Sequence, residues 1–160
     1  MDSRAALKGA IDSAEFVVMT YLSDLSDADL MHRPHAGCNH INWQVGHLIA
    51  SEHQMMNGSV PGGMPALPDG FAEKYYRATA ENNDPSAFCT KDELMATYNA
   101  QRIATLAALE KVTDEGLDAP TEIHYAPTVG SVFTMQCCHW LMHCGQWVIV
   151  RRNLNKPVVI

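Results

Sequence analysis

The stretch Ile41-Asn42-Trp43-Gln44-Val45-Gly46-His47-Leu48-Ile49-Ala50-Ser51-Glu52-His53-Gln54-Met55-Met56 decides how the chain is read. Trp43, Val45, Leu48, Ile49 and Met55 recur at helical rather than alternating spacing, which predicts a long helix. Gly58 stands where such a helix closes. Inside the apolar run sits His47, where a plain core would carry Leu, and Gly46 stands beside it. A mid-helix glycine costs about 0.5–1 kcal/mol relative to Ala, so its presence there needs a reason. Removing Cβ gives either a ligand or a neighbouring helix room to approach.

On the N-terminal side, residues 3 to 25 place Leu7, Ala10, Ile11, Ala14, Val17, Val18, Tyr21, Leu22 and Leu25 on one apolar stripe. Ser26-Asp27-Ala28-Asp29 starts a short helical turn that Pro34 and Gly37 end. On the C-terminal side, residues 58–70 are dense in Gly and Pro and can be neither helix nor central strand. Loops of this length serve either as covers over functional pockets or as plain connectors. A short helical piece over residues 71–80 and a polar turn at Asn82-Asn83-Asp84-Pro85 follow.

Thr90-Lys91-Asp92-Glu93 is a capping box, and it opens a third long helix. Leu94, Tyr98, Thr105, Leu109 and Val112 share its face, and Gly116 is expected to stop it. A fourth long helix runs over residues 129–152, with Arg151 and Arg152 complementing the negative end of its dipole. Four long amphipathic segments with almost no period-two alternation predict an all-α four-helix bundle, one domain over residues 1–160, with a long Gly/Pro-rich crossover between the second and third helices.

Composition narrows the function. The chain has 160 residues, is 47% hydrophobic and carries a formal net charge of -7 with no cluster of Lys or Arg, which argues against a nucleic-acid partner. No apolar run is long enough to span a bilayer and no signal peptide is visible, so a cytoplasmic location is expected. The five cysteines are odd in number and form no Cys-x-x-Cys, so they indicate neither a disulfide framework nor a zinc ribbon.

Eight histidines are the anomaly. His139 and His143 lie one turn apart and about 40° around the fourth helix, so both imidazoles can reach a single ion. With His47 they make a three-imidazole set suited to a divalent metal, Zn²⁺ first, with Ni²⁺ or Fe²⁺ as alternatives. Three protein ligands leave a coordination position open, which is the catalytic pattern. Cys137, Cys138 and Cys144 lie roughly 120–140° from the His139/His143 direction and are expected to pack as small apolar residues. His53 is about 120° from His47 and is expected at the surface. His40 is read either as a residue near the site entrance or as a loop histidine, and His32, His35 and His124 as loop residues. Gln146 either orients a ligand or joins two helices. Glu-x-x-His and His-Glu-x-x-His are both absent, which excludes the ferritin-like di-iron and zincin patterns.

The combination of residues 42–50 with His139-x-x-x-His143-x-Gly145-Gln146 resembles the DinB-like (DinB/YfiT) superfamily. The likeness covers nearly the whole chain, including residues 25–34 and 70–75. It implies an up-up-down-down order of helices, a divalent ion held by His47, His139 and His143 at a pocket, and a homodimer. Members of the superfamily include S-transferases that use bacillithiol or mycothiol and a mycothiol-dependent maleylpyruvate isomerase. The expected function is therefore a metal-dependent enzyme activating a nucleophile: a small thiol first, water (a hydrolase) second. Two further readings are a non-catalytic metal-binding bundle and a metal-free bundle with histidines filling its core.

Overall fold

Side-chain caps set where most of the helices begin. The computed structural model describes residues 2–160, and among these all the named elements are helical. Asp2 accepts the amide of Ala5 and opens α1 (Ser3–Leu22). Ser26 and Asp29 form the reciprocal box of the one-turn α2 (Asp27–Leu30). His40 caps α3 (Ile41–Ser59) through a ring nitrogen, Nδ1 accepting the Trp43 amide at 3.0 Å. Gly70, at φ 72°, supplies the left-handed turn into α4 (Phe71–Lys74), a conformation that favours glycine. The expected box of Thr90 and Glu93 opens α5 (Lys91–Lys111). Thr113 caps α6 (Asp114–Leu117), and Thr128 with Ser131 caps α7 (Val129–Asn153).

Cross-helix pairs give the directions. Arg4 donates to the Val112 carbonyl, while Lys91 at the other end of α5 donates to the carbonyls of Leu22 and Leu25, so α1 and α5 are antiparallel. Asn42 meets Cys89 and Glu52 meets Arg102 and Thr105, so α3 and α5 run the same way. Gln44 meets Trp147 and Glu52 meets Trp140, which sets α7 against α3. The order along the chain is up, down, down, up. This corrects the expected up-up-down-down order. Leu25, Leu30 and Ile41 bury in the same apolar cluster as Leu22, so the chain turns back after α1 instead of crossing over. The crossover lies where it was expected, between α3 and α5, and returns the chain to the end from which α3 started.

Several boundaries differ from the sequence reading. The first helix ends at Leu22, yet Leu25 still packs in the core. The third ends at Lys111 rather than Gly116, because the Thr113 hydroxyl captures the Gly116 amide and starts α6. The expected piece over residues 71–80 breaks after Lys74. There Tyr75 turns inward and its hydroxyl accepts the Cys89 amide at 2.9 Å. Arg151 does more than complement a dipole. Fully buried, it pairs with Asp24 and donates to the carbonyls of Tyr21 and Pro157.

Two apolar clusters fill the interior. One gathers Leu22, Ile41, Leu48, Leu94, Tyr98 and Trp147, and the other Ile11, Met56, Leu109, Val132 and Phe133. Between them lies a buried polar layer. Glu52 accepts from Arg102 Nη2 at 2.9 Å, Thr105 Oγ1 at 2.7 Å and Trp140 Nε1 at 3.3 Å. Arg102 also reaches the Gln136 carbonyl. Burial pushes the Glu52 carboxyl up, and Arg102 opposes that shift.

Candidate metal centre

α3 contributes His47 and α7 contributes His139 and His143. The antiparallel contact of α3 with α7, Gln44 beside Trp147 and Glu52 beside Trp140, sets the stretch around His47 against the stretch that carries His139 and His143. One ring nitrogen from each lies within 4.8 Å of the others, and all three residues are half-buried. The ring centroids of His47 stand 5.4 Å from those of His139 and 5.7 Å from those of His143. The i,i+4 pair itself is 5.0 Å apart.

Burial, and then the neighbouring imidazoles, hold His139 and His143 down at about 4, and burial lowers His47 as well. At neutral pH the three rings are therefore uncharged, and their lone pairs are free for a cation. Gln44 orients one of them. Its Oε1 faces His143 Nδ1 at 2.9 Å and the Trp147 indole N–H at 3.0 Å, while its amide nitrogen donates to the Asn39 carbonyl at 2.8 Å. Trp147 can only donate, so the amide orientation is fixed, Nδ1 of His143 carries the proton and Nε2 is left as the free donor atom. Holding a ring by its second nitrogen is how proteins orient metal-binding histidines. Trp43 completes the setting, its ring stacked on His47 at 5.0 Å and an interplanar angle of 4°.

The remaining expectations divide. His53 is half-buried rather than freely exposed: Nδ1 faces Gln101 Oε1 at 3.0 Å and Nε2 faces Asn57 at 2.9 Å. His40 belongs to the α3 cap, with Nε2 against the Asn82 carbonyl, and is fully buried rather than at an entrance. Cys137 and Cys144 are buried in the two clusters as expected, but Cys138 is exposed. Gln146 is exposed, and the orienting amide belongs to Gln44 instead. Gly46 leaves room for the Tyr75 ring, not for a ligand.

Gln44 is the residue that sequence reasoning missed. Its signal was present: a glutamine three residues before His47, on the same helix and within an apolar run. A cavity of about 820 Å³ opens beside His47 and His143, within the range of small-molecule sites. Its walls come from Trp43 and from residues 33–39 and 77–83, not from residues 58–70, which therefore do not cover this site.

The depressed histidines imply a pH-dependent stability. His40 also sits at about 4, from burial first and the Arg33 charge second, whereas an unfolded histidine titrates near 6.5. Between these values the unfolded chain binds more protons, so the stability is complete above about pH 6.5 and falls as the pH drops toward about 4. The expected loss for metal-free protein is on the order of 1 kcal/mol per imidazole once solvent screening is allowed for. Urea midpoints measured from pH 7.5 to 4.5 check it; a flat profile over that range would contradict it.

Helices carrying a half-buried group of three neutral imidazoles define a class of protein compatible with binding a divalent metal ion. The chain matches the DinB superfamily over residues 10–147 and belongs to that family. Neither the curated proteins nor the solved structures gave a match. Among the described residues, no helix is long and apolar enough to cross a membrane.

Proposed function

We propose that the chain is a divalent-metal-dependent enzyme whose ion is held by His47, His139 and His143 and whose nucleophile is a small thiol. The reaction class is thiol S-transfer or thiol-dependent isomerisation, with Zn²⁺ the first choice of metal and Ni²⁺ or Fe²⁺ the alternatives. The architecture proposed is one four-helix-bundle domain. The observation that carries the reading is the meeting of three uncharged imidazoles from two helices, with His47 and His143 on the wall of a cavity large enough for a small molecule.

His47, His139 and His143 would hold the ion, which would supply a site for a substrate thiol and favour its ionised form. The chain's own residues do the rest. Gln44 holds the His143 proton on Nδ1, and Trp43 limits solvent at the His47 ring. No carboxylate belongs to the imidazole group among the described residues, so its donors are neutral and a bound cation keeps its full charge. A homodimer and a cytoplasmic location belong to the same proposal. Leu141, Met142 and Ile149 lie exposed on one side of α7 and suit a pairing surface.

The test combines metal analysis with a thiol-conjugation assay. Wild-type protein is expected to hold one ion per chain, and the double variant His47→Ala/His139→Ala none. Conjugation of small thiols to electrophiles should fall at least 100-fold with chelator and return with added Zn²⁺. Gln44→Leu should weaken metal affinity by about 10–100-fold. Protein free of metal after purification, and unable to take it up, would sink the proposal. Bound Co²⁺ whose spectrum no thiol or inhibitor alters would reduce the site to a fastening between α3 and α7.

A further inference from the structure

The cavity beside the imidazoles has two arginines on its wall, and they differ in what they have left to bind. Arg33 spends its guanidinium on the chain itself. Nε donates to Asn83 at 2.5 Å, Nη1 to the Cys38 carbonyl at 2.6 Å, and Nη2 to the carbonyls of Ala80 at 2.7 Å and Asn82 at 2.9 Å. Its charge remains at the wall, but its donors are nearly used up. Arg77 is exposed, lines the same cavity, and makes no side-chain hydrogen bond or ion pair among the described residues.

The backbone that carries Arg77 is held firmly. It opens a 3-10 turn, Arg77–Thr79, and the Trp43 indole N–H donates both to the Tyr76 carbonyl at 3.3 Å and to Thr79 Oγ1 at 3.0 Å. The Thr79 hydroxyl in turn donates to the Lys74 carbonyl at 2.7 Å. The same Trp43 ring lies stacked on His47. The turn is thus fastened on both sides of Arg77 to the residue that covers one of the three imidazoles. Glu81 is the acid on this wall, so Arg33 and Arg77 leave the lining with a positive excess in a protein whose net charge is -7.

An unpaired guanidinium on a fixed turn, beside a second cation and in a cavity of small-molecule size, is suited to a planar anion. We propose that Arg77 receives a carboxylate of the substrate, so that the molecules this cavity takes are small and carry a carboxylate. This deepens the metal-dependent thiol reading and relies on it only for what happens at the imidazole end. The carboxylate belongs either to the thiol or to the acceptor.

Two titrations test the proposal and keep it separate from the thiol reading. The first uses metal-free protein, with succinate and its uncharged diamide as probes, followed by calorimetry. Succinate should bind at least tenfold more tightly than the diamide. Arg77→Gln should lose about tenfold in succinate affinity, a charge-assisted pair being worth about that factor. Its melting temperature should not change, because the side chain holds nothing else. Glu81→Gln should bind succinate more tightly than wild type. Equal succinate affinity in wild type and Arg77→Gln, or no binding by either, overturns the proposal and leaves Arg77 an ordinary solvated arginine.

The second titration uses Co²⁺-loaded protein with N-acetylcysteine and its uncharged amide. A preference for the acid that disappears in Arg77→Gln puts the carboxylate on the thiol. Equal binding of the two, with succinate still dependent on Arg77, puts it on the acceptor. A Co²⁺ spectrum unmoved by either thiol refutes the thiol reading while the succinate result decides the role of Arg77.

Discussion

Arg102→Met is expected to destabilise the protein by about 3–5 kcal/mol, the cost of leaving a buried carboxylate without its partner. The side chains of Arg102 and Glu52 are 5% and 1% exposed, so water cannot take over when the guanidinium is removed. Thr105 and Trp140 would still donate to Glu52, but neither carries charge. The pH dependence of the loss follows from its cause. Burial already pushes the Glu52 carboxyl up, and without Arg102 it rises further. Protonation then relieves the defect, so the variant should lose less stability at pH 5 than at pH 8.

The pair itself is not an efficient source of stability, since Nε and Nη1 of Arg102 are buried without a protein partner. Replacing both members, Glu52→Leu with Arg102→Met, should therefore recover much of the loss. Urea unfolding of the single and double variants at both pH values measures this. A single variant within 1 kcal/mol of wild type would show that the layer tolerates an unpaired carboxylate.

Gly46→Ala is the second large effect, expected at about 3 kcal/mol of destabilisation, the upper end of ordinary overpacking. A Cβ at this position would run into Cδ1, Cε1 and Cζ of Tyr75. The ring cannot step aside cheaply. Its hydroxyl accepts the Cys89 amide and donates to Asn42 Oδ1, and the ring stands between Phe71 and Phe88 at centroid distances of 5.0 and 5.7 Å. Gly145→Ala has the opposite sign. Nothing lies within 4 Å of the added carbon at that exposed helical position, so it should stabilise by about 0.5–1 kcal/mol through helix propensity. Thermal unfolding of the two variants separates the cases. Equal shifts for both would mean that Tyr75 is not what Gly46 accommodates, and fully additive costs for Gly46→Ala and Tyr75→Ala would say the same.

Local chemistry was legible in the sequence, and contact between distant segments was not. The capping box at Thr90 is written within four residues and forms as read, and the short turn expected from Ser26 forms as well, opened by a box of its own. The spacing of His139 and His143 follows from one helix. His47 is legible as an inward-facing histidine because it interrupts an apolar run, and its meeting with the pair follows from the packing of α3 on α7. The helix order that the resemblance implied differs from the one found, because direction depends on where the segments between the helices bury their leucines. The reason for Gly46 lies in Tyr75, far along the chain, and the environment of His53 lies on α5. Nothing local to Glu52 or Arg102 marks either as half of a pair. Only the meeting of three helices makes them one buried pair. His40 escaped because an imidazole seldom serves as a helix cap, where Ser, Thr, Asp and Asn prevail.

Because α3 and α5 point the same way, the chain between them has to travel back along the length of the helices, and part of that return path walls the cavity. On the proposed function, chemistry and selectivity would be carried by different kinds of structure. The imidazoles sit on two long helices whose alignment is fixed by the interior. The residues a substrate would meet beyond them come largely from connections, residues 33–39 and 77–83. Connections accept changes of length and side chain far more readily than packed helices do. The same trio of histidines can thus be kept while the wall is rewritten, so that, on the proposed function, a change of substrate would leave the imidazoles undisturbed.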